Sequence, residues 1–172
     1  MSRTSKGLTL IELLISVMLV SAMLGAAWLI FSAGFGVFYG QLSRYDIKNE
    51  TSLAFITMTK ELHQASSITA ATASSITFTA DLDSNGVNET IQYRWSGLSG
   101  DPLNRVVGAV TKTLARSVQS CTFSYYNRNN ILLSAPVSAF DLPNVHLVAV
   151  DATSVKGDET FHLRTKIFLQ TI

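Results

Sequence analysis

Leu8-Thr9-Leu10-Ile11-Glu12-Leu13-Leu14 follows Gly7 and a short basic leader, Met1 to Lys6, which carries Arg3 and Lys6. The stretch sets one carboxylate, Glu12, at the head of an apolar run that holds no other charge until Arg44. From Leu13 to Phe38 the run would extend about 39 Å as a helix, against a bilayer hydrocarbon core of about 30 Å. That exceeds the roughly 7–15-residue apolar region of a secretory signal peptide, so Phe31-Ser32-Ala33 is not read as a cleavage site. An acid at the centre of a membrane helix costs about 2.5–3.5 kcal/mol on insertion scales, and less near its end. The bland reading of Glu12 is an acid reaching for headgroups; the sharper one is a charge waiting for a partner.

The helix does not stop with the apolar run. Gln41 to Ser66 contains neither proline nor glycine, and Phe55, Met58, Leu62 and Ala65 recur at helical spacing, with Lys60, Glu61 and Gln64 off that stripe. Leu53 and Ile56 are expected to widen it. One helix is predicted from about Leu8 to Ala65, its second half packed on a sheet and its first half bare. Within the first half, Ser21, Ala22, Gly25 and Ala26 form small-residue pairs four apart, and Gly36 and Gly40 repeat the spacing, which lets helices approach closely. Gly34, Gly36 and Gly40 each weaken the helix by about 1 kcal/mol relative to alanine, so local stretching is expected there.

Beyond Ser66 the pattern changes to alternation. Ser74 to Ala80 and Glu89 to Ser96 flank Asp81-Leu82-Asp83-Ser84-Asn85-Gly86, a hairpin signal centred on Asn-Gly. Further strands are predicted at 105–110, 118–126, 131–134, 145–152 and 160–171, with turns at 127–130, 141–144 and 156–158. The predicted fold class is α+β, a long N-terminal helix whose second half packs on an antiparallel β-sheet head. Of the 172 residues, roughly 125 remain for that head once the membrane segment is set aside. A formal net charge of +1 supplies no field for nucleic acid or acidic substrates. The single cysteine, Cys121, cannot form an internal disulfide, and its alternation with Phe123 and Tyr125 marks it as a buried thiol.

Gly7, Thr9, Leu10, Ile11 and Glu12, behind a basic leader, resemble the processing site of type IV prepilins and type II secretion pseudopilins, with Leu8 in place of the commoner phenylalanine. The remainder resembles more weakly the minor, J/W-type branch of that family, in its acidic turn and Tyr93-Arg94-Trp95 strand. The resemblance implies three segments: a leader, 1–7; a transmembrane and fibre-core helix, 8–40; and a pilin-like head, 41–172, placed outside the cytoplasm. It also implies cleavage between Gly7 and Leu8 by a prepilin peptidase, N-methylation of Leu8, and transfer through an inner-membrane assembly platform into a fibre. There Glu12 would meet the N-terminus of a neighbouring pilin or pseudopilin subunit. A lone cysteine, and no proline before Pro102, lean away from a major pilin and toward a minor subunit at the tip or initiation complex. The alternatives are a DNA-binding minor pilin of a competence system and a single-span anchored domain unrelated to fibres.

Other chemistry is sparse. Asp81, Asp83, Asn85 and Glu89 occupy the first, third, fifth and ninth positions of a calcium-loop pattern with Gly86 at the sixth, but the twelfth is Gln92 rather than an acid. The same residues suit a plain polar turn, so a calcium site and a turn both stand as readings, and no other cofactor is expected. Ser134, His146 and Asp151 could be drafted as a triad, but nothing marks a nucleophile turn or an oxyanion pair, and the chain is not read as an enzyme. Arg94, Arg105, Arg116, Arg128, Arg164 and Lys166 with Tyr93, Trp95, Tyr125 and Tyr126 suit a basic-aromatic DNA face or an ordinary solvated sheet.

Overall fold

The computed structural model describes the backbone of residues 9–170, with side chains over that range except at 36–44. Its contacts divide the chain into two units, Met1–Leu42 and Ser43–Ile172. Helix α1 runs from Leu10 to His63. Within the first unit the stretch Leu10–Phe35 has a mean hydropathy of 2.4 and none of it is buried, which by length and composition suffices to cross a membrane.

The second unit is built on the last turns of α1 and, among the described residues, nine strands. β1 (Ser67–Ala71), β2 (Ser75–Ala80), β3 (Glu89–Arg94), β4 (Leu103–Val107) and β5 (Val110–Ala115) form a five-stranded meander in sequence order. β6 (Val118–Tyr126), β7 (Leu132–Leu133), β8 (Leu147–Lys156) and β9 (Glu159–Phe168) form a second sheet in the order β7-β6-β8-β9. All these pairings are antiparallel. The fold is therefore α+β and pilin-like, as the sequence indicates, with two sheets where one was expected.

The two strands the sequence pattern hides explain the difference. β1 is short and weakly apolar, and its register slips between Ile68 and Ala70. The stretch 105–110 reads as one strand, yet Val107 faces Val110 across a two-residue turn whose Gly108 sits at φ 56°. Glycine takes that left-handed conformation without the Cβ penalty, so the chain reverses there into β5. The β2–β3 connection also departs from the expected Asn-Gly turn. Ala80 pairs with Glu89, so residues 81–88 make a long loop, with Ser84 at φ 59° and Gly86 at φ 83°.

One core joins α1 to both sheets. Phe55, Met58, Leu62 and Ala65 are buried, and they meet Ile76, Phe78, Ile91, Leu103, Phe123, Val148, Val150 and Ile167. Leu53 and Ile56 do not widen that stripe; they are 54% and 63% exposed. At about 100° per residue Ile56 lies roughly 160° around the helix from Met58, on its opposite face. Tyr125 stitches the sheets together. Its buried hydroxyl donates toward the carbonyls of Thr72 at 2.7 Å and Ser75 at 2.9 Å, while Phe123 N donates to Ala73 O at 2.8 Å. A buried hydroxyl with partners costs little; without them it would cost about 1–3 kcal/mol.

Candidate functional site

The expected cleavage and methylation positions, Gly7 and Leu8, lie outside the described residues. Immediately after them, Thr9 O accepts the amides of Glu12 at 3.0 Å and Leu13 at 3.2 Å, which opens α1. Glu12 sits in the first helical turn, where the helix dipole favours an acid. It is exposed, and the described residues offer its carboxylate no ion-pair or hydrogen-bond partner. The described serine hydroxyls of this unit are satisfied internally. Ser16 donates to Glu12 O at 2.8 Å, Ser21 to Val17 O at 2.8 Å and Ser32 to Leu29 O at 3.0 Å. Hydroxyls bonded back to the helix carry no unmet donor into lipid, so among the described residues of the span Glu12 is the charged group whose burial needs something from outside. A Cβ added at Gly25 or Gly34 would meet nothing within 4 Å, so none of the described residues fills the small-residue surface there.

The acidic loop is organised by its own backbone. Asp81 accepts Asn85 N at 3.1 Å and Gly86 N at 2.9 Å through its two oxygens. Asp83 accepts Asn85 N at 3.2 Å and the Asn85 side-chain amide at 2.9 Å, and Asn85 Oδ1 accepts Val87 N at 2.7 Å. Glu89 accepts Leu82 N at 3.2 Å. Carboxylate oxygens of Asp81, Asp83 and Glu89 lie within 4.8 Å of one another, but Asn85 is spent on the turn. Gln92, the twelfth position, is a β3 residue that donates to Thr77 Oγ1 at 3.3 Å. Calcium takes about 6–8 oxygens, and these residues direct theirs first to backbone N–H groups.

The basic-aromatic set is dispersed. Tyr93 and Tyr125 are wholly buried, Arg105 is tied to Glu61, and Arg116 lies 3.7 Å from Glu50. On the outer face of the second sheet Lys166 lies over the Tyr126 ring at 5.9 Å, and Arg164 and His162 both contact Asp151. The drafted triad is not brought together: Asp151 bonds His162 at 2.8 Å, while the His146 ring packs edgewise on Phe168. Cys121, on β6 beside Ala152 of β8, is buried, and desolvation, followed by the charge of Asp151, pushes its thiol up to about 12. At neutral pH it is not a nucleophile.

One cluster escaped the sequence reading. Glu61, assigned to the solvated side of α1, reaches into the meander. Its Oε2 accepts the Tyr93 hydroxyl from β3 and Arg105 Nε from β4 at 2.8 Å. The pair is mostly buried, with Arg105 at 20% and Glu61 at 12% side-chain exposure. Burial first, and then the Glu61 hydrogen bond, hold the Tyr93 phenol far above its usual range, and the same carboxylate raises Arg105. The signal was available only as an acid flanking the apolar stripe opposite an Arg-bearing strand.

Compared with known proteins, residues 2–28 match the family described as the prokaryotic N-terminal methylation motif. The chain thus carries the N-terminal signature of type IV pilins and pseudopilins, which implies processing by a prepilin peptidase and assembly with other pilins. No curated protein matches the chain.

Proposed function

We propose that this chain is a minor, non-catalytic subunit of a type IV pilus or type II secretion pseudopilus. It is inserted in the inner membrane with its head outside the cytoplasm, cut after Gly7, methylated on Leu8, and moved by the assembly platform into the initiation complex at the fibre tip. The observation that carries the reading is the methylation motif at residues 2–28 overlapping an apolar helical stretch, Leu10–Phe35, none of which is buried. Such a surface is stable in lipid, and equally stable against other helices of its kind; in water it would cost about 25 cal/mol for each Å² exposed. Transfer from bilayer to fibre therefore exchanges one apolar surrounding for another.

Glu12 supplies direction to that exchange. In lipid its charge is unpaired, while in the fibre the methylated amine of a neighbouring subunit's Leu8 stands within reach, about one turn from the neighbour's own acid. The pairing sets axial register. Support for a minor role comes from the buried, single Cys121, which leaves no disulfide-closed loop, and from an α1 without proline.

The test is incorporation. Glu12→Ala should leave membrane insertion and loss of the leader unchanged while removing the chain from sheared fibres or from co-purified initiation complexes. Equal incorporation of mutant and wild type would remove Glu12 from the mechanism. A wild-type chain that never enters such assemblies would point to a single-span anchored domain instead.

A further inference from the structure

The Asn85–Gly86 pair in the β2–β3 loop carries chemistry that fibre assembly does not use. Of the chain's asparagines, only Asn85 precedes a glycine. With no Cβ to shield it, a glycine nitrogen can reach the side-chain carbonyl carbon of the residue before it. Gly86 N then bonds to Asn85 Cγ, the Cγ–Nδ2 bond breaks, and ammonia leaves with the proton that Gly86 N gives up. Solvent water opens the resulting ring at either carbonyl, which leaves aspartate or isoaspartate at position 85.

Both residues are exposed, and a Cβ added at Gly86 would meet nothing within 4 Å. Packing therefore does not stop ring closure; hydrogen bonds do. Gly86 N donates to Asp81 Oδ2 at 2.9 Å, and Asn85 N donates to Asp81 Oδ1 at 3.1 Å. A nitrogen that must shed its proton to attack is disfavoured beside a carboxylate, because two negative charges would then meet. The Asn85 side chain is fixed at both ends, Oδ1 by Val87 N at 2.7 Å and Nδ2 by Asp83 Oδ2 at 2.9 Å. Any turn of its amide toward Gly86 N breaks those bonds.

We propose that Asn85 is a modification site that Asp81 holds closed: it stays an amide while the loop is intact and converts to an acid when the loop opens. The conversion is one-way. It replaces the Nδ2 donor with an oxygen facing Asp83 Oδ2, in a loop where carboxylate oxygens of Asp81, Asp83 and Glu89 already lie within 4.8 Å of one another. Like charges so close repel, and the loop of a converted chain does not re-form its bonds. Residues 81–88 thereby record whether a copy has been opened. The inference goes beyond the function proposed above and does not depend on cleavage after Gly7.

Peptide mass spectrometry of the full chain, aged in detergent and EDTA at mildly alkaline pH, tests it. Asp81→Ala should speed conversion at Asn85 at least about tenfold, through loss of one hydrogen bond to a charged acceptor. Wild type unfolded in urea should convert faster than folded wild type by a similar factor. Glu61→Ala, which loosens α1 from the meander instead, should leave Asn85 near the wild-type rate. Asn85→Asp should unfold at lower urea than wild type. Circular dichroism shows whether each variant is folded; if Asp81→Ala is not, the comparison of folded with unfolded wild type decides. An unchanged or slower rate in folded Asp81→Ala, or equal rates in folded and unfolded wild type, overturns the proposal. So does an equal rise in Glu61→Ala, or an Asn85→Asp urea midpoint no lower than that of wild type.

Discussion

Replacing Glu61 by alanine removes the carboxylate that joins α1 to β3 and β4. Two hydrogen bonds to a charged acceptor are lost, each worth about 1.5–3 kcal/mol, and the buried Tyr93 hydroxyl and the Arg105 guanidinium are left behind. Arg105, at 20% side-chain exposure, can regain some water, so the lower part of that range applies. We expect a loss of about 3 kcal/mol. Glu61→Gln keeps an acceptor for the tyrosine but not the charge, and should cost roughly half as much. The exposed pairs set the scale: Arg116→Ala, at 82% exposure, and Asp46→Ala, at 68%, should each cost no more than about 0.5 kcal/mol. The assay is urea unfolding of the full chain in detergent, followed by Trp95 fluorescence in a Trp28→Phe background. If Glu61→Ala costs no more than Arg116→Ala, the carboxylate does not clamp the helix to the meander.

Stability should also fall as pH rises above about 9. The unfolded Cys121 thiol ionises near 9.0 and unfolded tyrosines near 10.0, whereas burial holds Cys121 at about 12 in the fold and Tyr93 and Tyr125 higher still. The unfolded state then binds fewer protons, and each such group removes about 1.4 kcal/mol per pH unit; a flat urea midpoint from pH 8 to 11 would contradict this. For the same reason Cys121 should resist alkylation at pH 8 until urea unfolds the chain, and rapid labelling of the folded protein would refute its burial. Asp81→Ala should destabilise the fold by about 1–2 kcal/mol through loss of its two backbone acceptors, equally in calcium and in EDTA. A loss seen only in calcium would assign the carboxylate to a cation.

The parts of the fold that follow from long periodic patterns were legible. The stripe Phe55–Met58–Leu62–Ala65 placed the buried side of α1, and the alternation of Cys121, Phe123 and Tyr125 gave β6 its face. Signals that rest on one or two residues were not. Only Gly108 and Ala109 separate β4 from β5, and nothing in the weakly apolar Ser67–Ala71 announces an edge strand. Ile56 looked like core because apolar residues near a stripe usually are; its angle around the helix puts it outside. Glu61 looked solvated because its partners, Tyr93 and Arg105, arrive from strands over thirty residues away, and pairing across that separation leaves no local trace. Glu12 stood out from its surroundings, since one acid in a long apolar run contrasts with every residue near it; its role in assembly is a proposal.

The central claim is that this chain is processed at Gly7 and joined to its neighbours through a modified N-terminus and Glu12. Intact mass and N-terminal peptide sequencing of the chain isolated from its native membrane test it most directly. The account predicts a mature protein that begins at Leu8 and carries one methyl group on its amine. A mature protein that retains residues 1–7, or begins at Leu8 unmodified, contradicts it.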